Sequence, residues 1–189
     1  MEELPPGFVL RTEFVDAAEE AALIDFIGTV SFGEVRMHGV ASKRRVAQFG
    51  WRYSFESYRL TPAAPVPDAL LAVRERAAAL GGIQPADFAE ALVTEYPPGA
   101  GIGWHRDAPH FGSVAGLSLG AACRMRFRTG EVHKRSTVSV DLAPRSIYLL
   151  TGVARKDWQH MIPPVHELRW SLTFRTLRKP AGKRESERS

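Results

Sequence analysis

The feature that constrains this chain most is a change of pattern at Phe88, after which the sequence breaks into short strand-like runs. These runs are 89–96, 114–119, 124–128, 137–142, 146–150 and 170–177. Pro97-Pro98-Gly99, Thr129-Gly130 and Ala143-Pro144 separate them. Proline lacks the N–H that a sheet ladder needs and glycine readily turns the chain, so each group ends a strand. Several short strands at this spacing predict a mostly β fold, a sandwich or jelly roll.

The first half reads differently. A short strand is expected over 7–15. Asp16 with Glu19 three positions on forms a capping-box signature for a helix to about Ile27, with Ala22, Leu23, Phe26 and Ile27 on one face. The stretch 31–59 has weak periodicity and reads as strands joined by an exposed loop. Three prolines between Thr61 and Pro67 indicate loop. Asp68 is placed to cap a second helix carrying Leu70, Leu71, Val73 and Leu80, ended by Gly81-Gly82. Both helices are expected to flank the β core.

A chain of 189 residues, 44% of them hydrophobic, fills one core rather than two. A single domain over 1–178 is expected, with a frayed charged tail over 179–189. One cysteine, Cys123, excludes an intrachain disulfide and a Cys-rich zinc site. No apolar run approaches the roughly 20 residues of a membrane helix, and the opening residues lack the order of a secretory signal. The expected setting is cytoplasmic and the expected state monomeric. The net charge of +4, with Lys43-Arg44-Arg45 clustered, suits either a polyanionic partner or an ordinary solvated face.

The chemistry is carried by His105-Arg106-Asp107. On an extended segment residues two apart point to the same side, so an imidazole and a carboxylate could grip one ion. His160, 53 residues after Asp107, is a candidate third ligand. Two histidines and a carboxylate leave three positions of an octahedron open, the arrangement typical of non-haem Fe(II). An oxygenase of that type needs a reducing co-substrate, and 2-oxoglutarate, a dicarboxylate, needs a cation for its far end. Arg169 and Arg175, six apart in Arg-Trp-Ser-Leu-Thr-Phe-Arg, fall on one side of a strand. They also read as two surface arginines on a solvent face. His38, His110, His133 and His166 stand in polar surroundings and are set aside as solvated histidines.

Together, Val93-Thr94-Glu95-Tyr96-Pro97-Pro98-Gly99, Trp104-His105-Arg106-Asp107, His160 and the terminal Arg-x-Ser-Leu-Thr-Phe-Arg resemble the AlkB family over at least 88–178. These are iron and 2-oxoglutarate dioxygenases acting mostly on alkylated nucleic acid. The resemblance implies a double-stranded β-helix, Fe(II), O2 and 2-oxoglutarate, and His105, Asp107 and His160 as catalytic metal ligands. It implies that Tyr96 hydrogen-bonds the co-substrate, Arg169 pairs with its distal carboxylate and Arg175 positions it near the metal.

It further implies a nucleotide-recognition lid over about 31–60. There Arg44 and Arg45 would meet phosphates and Trp51 would stack on bases. Trp104, outside that stretch and flanking a proposed ligand, reads either as a wall of the iron pocket or as a substrate contact. The same stretch also reads as a basic hairpin packing Phe49 and Trp51 into the core. Departures concern the co-substrate and the base. Thr94 and Ser171 stand where many members have asparagine, and Pro109 stands where some carry a base-reading acid. Leu117-Ser118-Leu119-Gly120 brings the chain closer to the branch with wobble-uridine tRNA hydroxylases than to the founding bacterial repair enzyme. The expected activity is oxidative dealkylation of nucleic-acid bases. The alternatives are hydroxylation of RNA, protein or a small molecule, and a non-catalytic nucleic-acid-binding module.

Overall fold

The computed structural model describes residues 3–37, 40–54, 56–130 and 136–178. The tail 179–189, His38 and His133 lie outside the described residues, as do parts of the stretch expected to form a lid.

Two antiparallel sheets face each other. One has seven strands, in the order β1 (Phe8–Arg11), β11 (Ile147–Leu150), β8 (Phe111–Gly120), β13 (Arg169–Leu177), β6 (Phe88–Tyr96), β3 (Val40–Phe49) and β2 (Gly33–Met37). The other has four, β10 (Ser136–Leu142), β9 (Cys123–Thr129), β12 (Gln159–Ile162) and β7 (Ile102–His105). A small ribbon pairs β4 (Trp51–Tyr53) with β5 (Leu60–Pro62). From β6 onward the chain alternates between the two main sheets except at the β9–β10 hairpin, which is the double-stranded β-helix.

Period two along the central strands explains the layering. On one face of the seven-stranded sheet Ala91, Val93, Ala115, Leu117, Leu172 and Phe174 pack against Leu23, Ile27, Val73 and Ala77 of helices α1 (Ala17–Gly28) and α2 (Leu71–Leu80). The opposite face, turned toward the four-stranded sheet, carries Glu90, Thr94, Ser118, Arg169, Ser171 and Thr173, all buried. Buried polar groups carry a desolvation cost unless partnered. A polar row inside the roll therefore marks where a polar ligand belongs. At one end of the roll an apolar plug seals the sheets, with Val114, Tyr148 and Leu150 meeting Met125, Phe127 and Val138. Tyr148 lies across Gly116, where a Cβ would stand 2.4 Å from its ring, so only glycine fits there.

Helix α1 starts as expected: Glu19 N–H donates to Asp16 Oδ1 at 2.8 Å and Asp16 N–H to Glu19 Oε2 at 3.1 Å. Three local expectations are corrected. The first strand is shorter, Phe8–Arg11. Asp68 does not cap α2; it opens a 3-10 turn over Asp68–Leu70, and α2 follows with no side-chain cap. Leu60–Pro62 is an edge strand rather than loop, because Pro62 sits at its end in a ribbon of two strands.

Candidate metal and co-substrate site

His105 ends β7 and lies directly across from His160 on β12. Asp107 is two residues past the strand end, in the loop leading to β8. Ligand atoms of His105, Asp107 and His160 all lie within 4.8 Å of one another, and the two imidazole centroids are 4.3 Å apart. His105 Nδ1 is 2.9 Å from the Gly103 carbonyl, which can only accept, so that nitrogen carries the proton and Nε2 presents its lone pair.

Burial pushes the His160 ring down to about 3 and lowers His105 as well. Both imidazoles are therefore neutral and able to ligate at neutral pH. Burial would raise the Asp107 carboxyl, but the charge of Arg175, then the electrostatic pull of the two facing imidazoles and the charge of Arg155, outweigh it and hold the group well below the usual carboxylate range.

Asp107 is split between two tasks. Oδ1 accepts from Arg175 Nε at 2.8 Å, with Nη2 2.7 Å away. Oδ2 is buried without a hydrogen-bond partner among the described residues, 3.6 Å from His160 Nε2. An ionised, desolvated oxygen facing two neutral imidazoles fits a divalent cation.

A second orphan lies on the same interior face. Arg169 opens β13, is 0% exposed, and pairs across the sheet with Tyr96 on one side and Gly120 on the other. Its Nε donates to Ser118 Oγ at 3.1 Å and its plane lies over the Tyr96 ring at 5.0 Å. Nη1 and Nη2 have no partner among the described residues. A buried guanidinium with a free two-pronged edge fits a carboxylate. Thr94 and Ser171 face each other across β6 and β13, both buried, and Ser171 Oγ lies 3.3 Å from Thr173 Oγ1.

The remaining expectations are redistributed. Arg175 gives its guanidinium to Asp107 and to Glu90 Oε2, 2.9 Å away, so it holds the carboxylate of the triad. Arg44 is not an exposed lid cation. It is 7% exposed and turned inward to hydrogen-bond Tyr96, and burial lowers its pKa. Arg45 is exposed but held by Glu95 at 2.6 Å. Trp51 lies in the β4–β5 ribbon and does not line the main cavity. Phe49 packs against the helix-covered core. Trp104 lines the cavity, with Arg128 4.4 Å and Arg126 5.8 Å from its ring centre.

Two residues escaped the sequence reading. Glu90 is fully buried beside Arg175, and burial raises its pKa. A lone acid in the apolar run 88–93 was its available signal. Arg155 lies on a short helix α3 (Gly152–Lys156). It donates to the carbonyls of Gly112 at 2.9 Å, Ala108 at 2.9 Å, Phe111 at 2.8 Å and Asp107 at 3.3 Å, tying down the loop that carries Asp107.

The triad opens into a cavity of about 1140 Å³, a little above the roughly 300–1,000 Å³ of small-ligand sites. Val46, Leu92, Ile102, Trp104 and Phe111 form much of its wall, β3 covers one side, and Arg44 stands between it and Tyr96.

A jelly roll with two histidines and a carboxylate converging inside it, beside a buried unpaired arginine, defines the non-haem iron oxygenase class. Residues 30–178 match the 2OG-Fe(II) oxygenase superfamily, and the chain belongs to that superfamily, whose members use Fe(II), O2 and 2-oxoglutarate. Within that superfamily the chain is similar to ALKBH8 proteins. It is 30% identical to mouse tRNA (carboxymethyluridine(34)-5-O)-methyltransferase ALKBH8 over 87% of this chain and 25% of that protein. It is 28% identical to the Arabidopsis thaliana alkylated DNA repair protein ALKBH8 homolog over 84% of this chain and 51% of that one. The chain thus spans a quarter to a half of these relatives.

The fold is shared with the OsALKBH1 structure, at TM-score 0.66 and 19% identity over 93% of this chain and 99% of that one. It is shared also with a Pseudomonas putida prolyl-4-hydroxylase, at TM-score 0.62 and 15% identity over 92% and 94%. No helix among the described residues is long and apolar enough to cross a membrane.

Proposed function

We propose that the chain oxidises alkyl groups on nucleic-acid bases, with His105 Nε2, Asp107 Oδ2 and His160 Nε2 holding Fe(II) and Arg169 anchoring 2-oxoglutarate. The observation that carries the reading is the pair of orphans inside one roll: a buried carboxylate oxygen facing two imidazoles and a buried guanidinium edge with no hydrogen-bond partner among the described residues. Each would be costly to bury alone, and together they match a cation and a dicarboxylate.

When bound, Fe(II) and 2-oxoglutarate supply O2 activation coupled to oxidative decarboxylation, so that one oxygen atom enters succinate and the other a substrate C–H bond. This chain's residues do the positioning. Arg175 occupies Oδ1, leaving Asp107 one oxygen for the metal. Arg169 donates its free N–H groups to the far carboxylate. Tyr96 stacks against Arg169 and, hydrogen-bonded to Arg44, walls that chamber from the larger cavity. Val46, Leu92 and Phe111 keep water from the reacting carbon. An N-methyl group hydroxylated there becomes a hemiaminal, whose C–N bond breaks to release formaldehyde and the bare base. A base in a duplex must first leave the stack, at a few kcal/mol.

The substrate class is supported by the tRNA and DNA-repair names of the relatives and by a cavity with more cations than acids. Its two carboxylates, Glu90 and Asp107, are both held by Arg175, whereas Arg44, Arg106, Lys156 and Arg178 also line it. Incubation of methylated DNA and RNA with the chain, iron and 2-oxoglutarate, followed by mass spectrometry, tests the reading. Loss of a methyl mass with matching succinate is expected. Succinate without any change in either nucleic acid would move the substrate to a protein or small molecule.

A further inference from the structure

The outer face of the four-stranded sheet carries cations that the reaction itself does not use. Alternation along β9 buries Met125 and Phe127 and turns Arg124, Arg126 and Arg128 outward. The register sets Ser139 and Met161 on either side of Arg126, and Thr137 and Gln159 on either side of Arg128. On these outward positions the one carboxylate among the described residues is Asp141, and it is bound by Arg124 at 2.8 Å.

Arg128 is oriented by Gln159 at 2.7 Å and stacks on Trp104, which is also cavity wall. Arg106 continues the line by donating to the Asp157 carbonyl at 3.0 Å. Lys156 and Arg178, both exposed, close the cavity mouth. Arg126, Lys156 and Arg178 have no ion-pair partner among the described residues.

We infer that a single-stranded nucleic-acid backbone runs from the cavity mouth at Lys156 and Arg178, past Trp104, onto the outer sheet face at Arg126. The inference rests on the nucleic-acid reading above and assigns the strand a path outside the β2–β4 segment. A row of cations interleaved with a flat ring is the surface that tracks phosphates without reading sequence. The cavity takes one nucleotide, and the track holds its neighbours.

Fluorescence anisotropy tests it with the full chain loaded with Mn(II) and 2-oxoglutarate, so that no turnover occurs. The probes are labelled single-stranded DNA and RNA of about 12 nucleotides, titrated across about 50 to 200 mM salt. Arg126→Glu/Lys156→Glu is expected to weaken binding at least about tenfold and to flatten the salt slope by about 1 to 2. Arg126→Lys/Lys156→Arg is expected to keep the wild-type slope, and Arg11→Glu, a charge reversal on β1 of the other sheet, to keep affinity within about twofold.

Wild-type affinity and slope in the double reversal would overturn the track while leaving the nucleic-acid reading standing. So would an Arg11→Glu loss as large as that of the double reversal, since net charge would then explain both. A wild-type chain that binds neither probe at the lowest salt would overturn both the track and that reading.

Discussion

Individual side chains in this roll are set by what their neighbours leave undone. Arg169 has one N–H bonded to Ser118 and its remaining edge bare, so Arg169→Met removes the partner of a buried carboxylate. Charge-assisted hydrogen bonds are worth about 1.5–3 kcal/mol, and the 2-oxoglutarate concentration for half-maximal succinate formation should rise roughly 10- to 150-fold by that measure. An unchanged titration would remove Arg169 from the anchor role.

Tyr148 gives a pH prediction. Burial, then the negative charge of Asp107, raises its phenol above the usual range. A phenol that must stay neutral when folded contributes its stability fully below its unfolded value of about 10 and loses it as pH rises beyond that. The melting temperature should fall above about pH 10, and Tyr148→Phe should fall less. Identical alkaline profiles would contradict the assignment.

At the scale of elements, strands hold the site and one short helix locks it. Arg155 on α3 donates to the carbonyls of Asp107 and Ala108 in the loop between β7 and β8 and to those of Phe111 and Gly112 at the start of β8. It touches neither metal nor co-substrate and acts by fixing Asp107. Arg155→Met is expected to weaken Co(II) binding, followed by absorbance, by about 10- to 100-fold, with Arg155→Lys intermediate. Equal Co(II) affinity in all three would show that the loop holds itself.

The legibility of these elements follows their physics. The capping box at Asp16 and the strands with alternating burial were readable because their signals are local. The ends of β7 and β12, four residues each, were not, since strands that short carry no period. They bring His105 opposite His160, so the triad could be named from residue types but its cross-strand geometry could not. The opposite settings of Arg44 and Arg45 were not legible for a related reason. Adjacent residues on β3 point to opposite faces, which sends Arg44 into the roll and Arg45 to Glu95. Glu90 and Arg155 went unseen because their partners are 85 and about 45 residues away in sequence.

Across the whole molecule the two sheets divide the labour. The seven-stranded sheet gives its apolar face to the helices and its polar face to the co-substrate, while the four-stranded sheet contributes both histidines from neighbouring strands. That arrangement puts a desolvated polar row between two well-packed layers, which holds the ligand groups rigidly without needing the metal to assemble them. The apo chain should therefore fold, and iron should raise its melting temperature in proportion to the logarithm of its concentration.

The central claim is that this preformed triad binds the iron that turns over 2-oxoglutarate. It is tested most directly by measuring bound iron and iron-dependent succinate formation in the wild type beside Asp107→Ala. The wild type should hold one iron per chain and form succinate, and the variant should lose both. Wild-type iron content and succinate formation in Asp107→Ala would contradict the account.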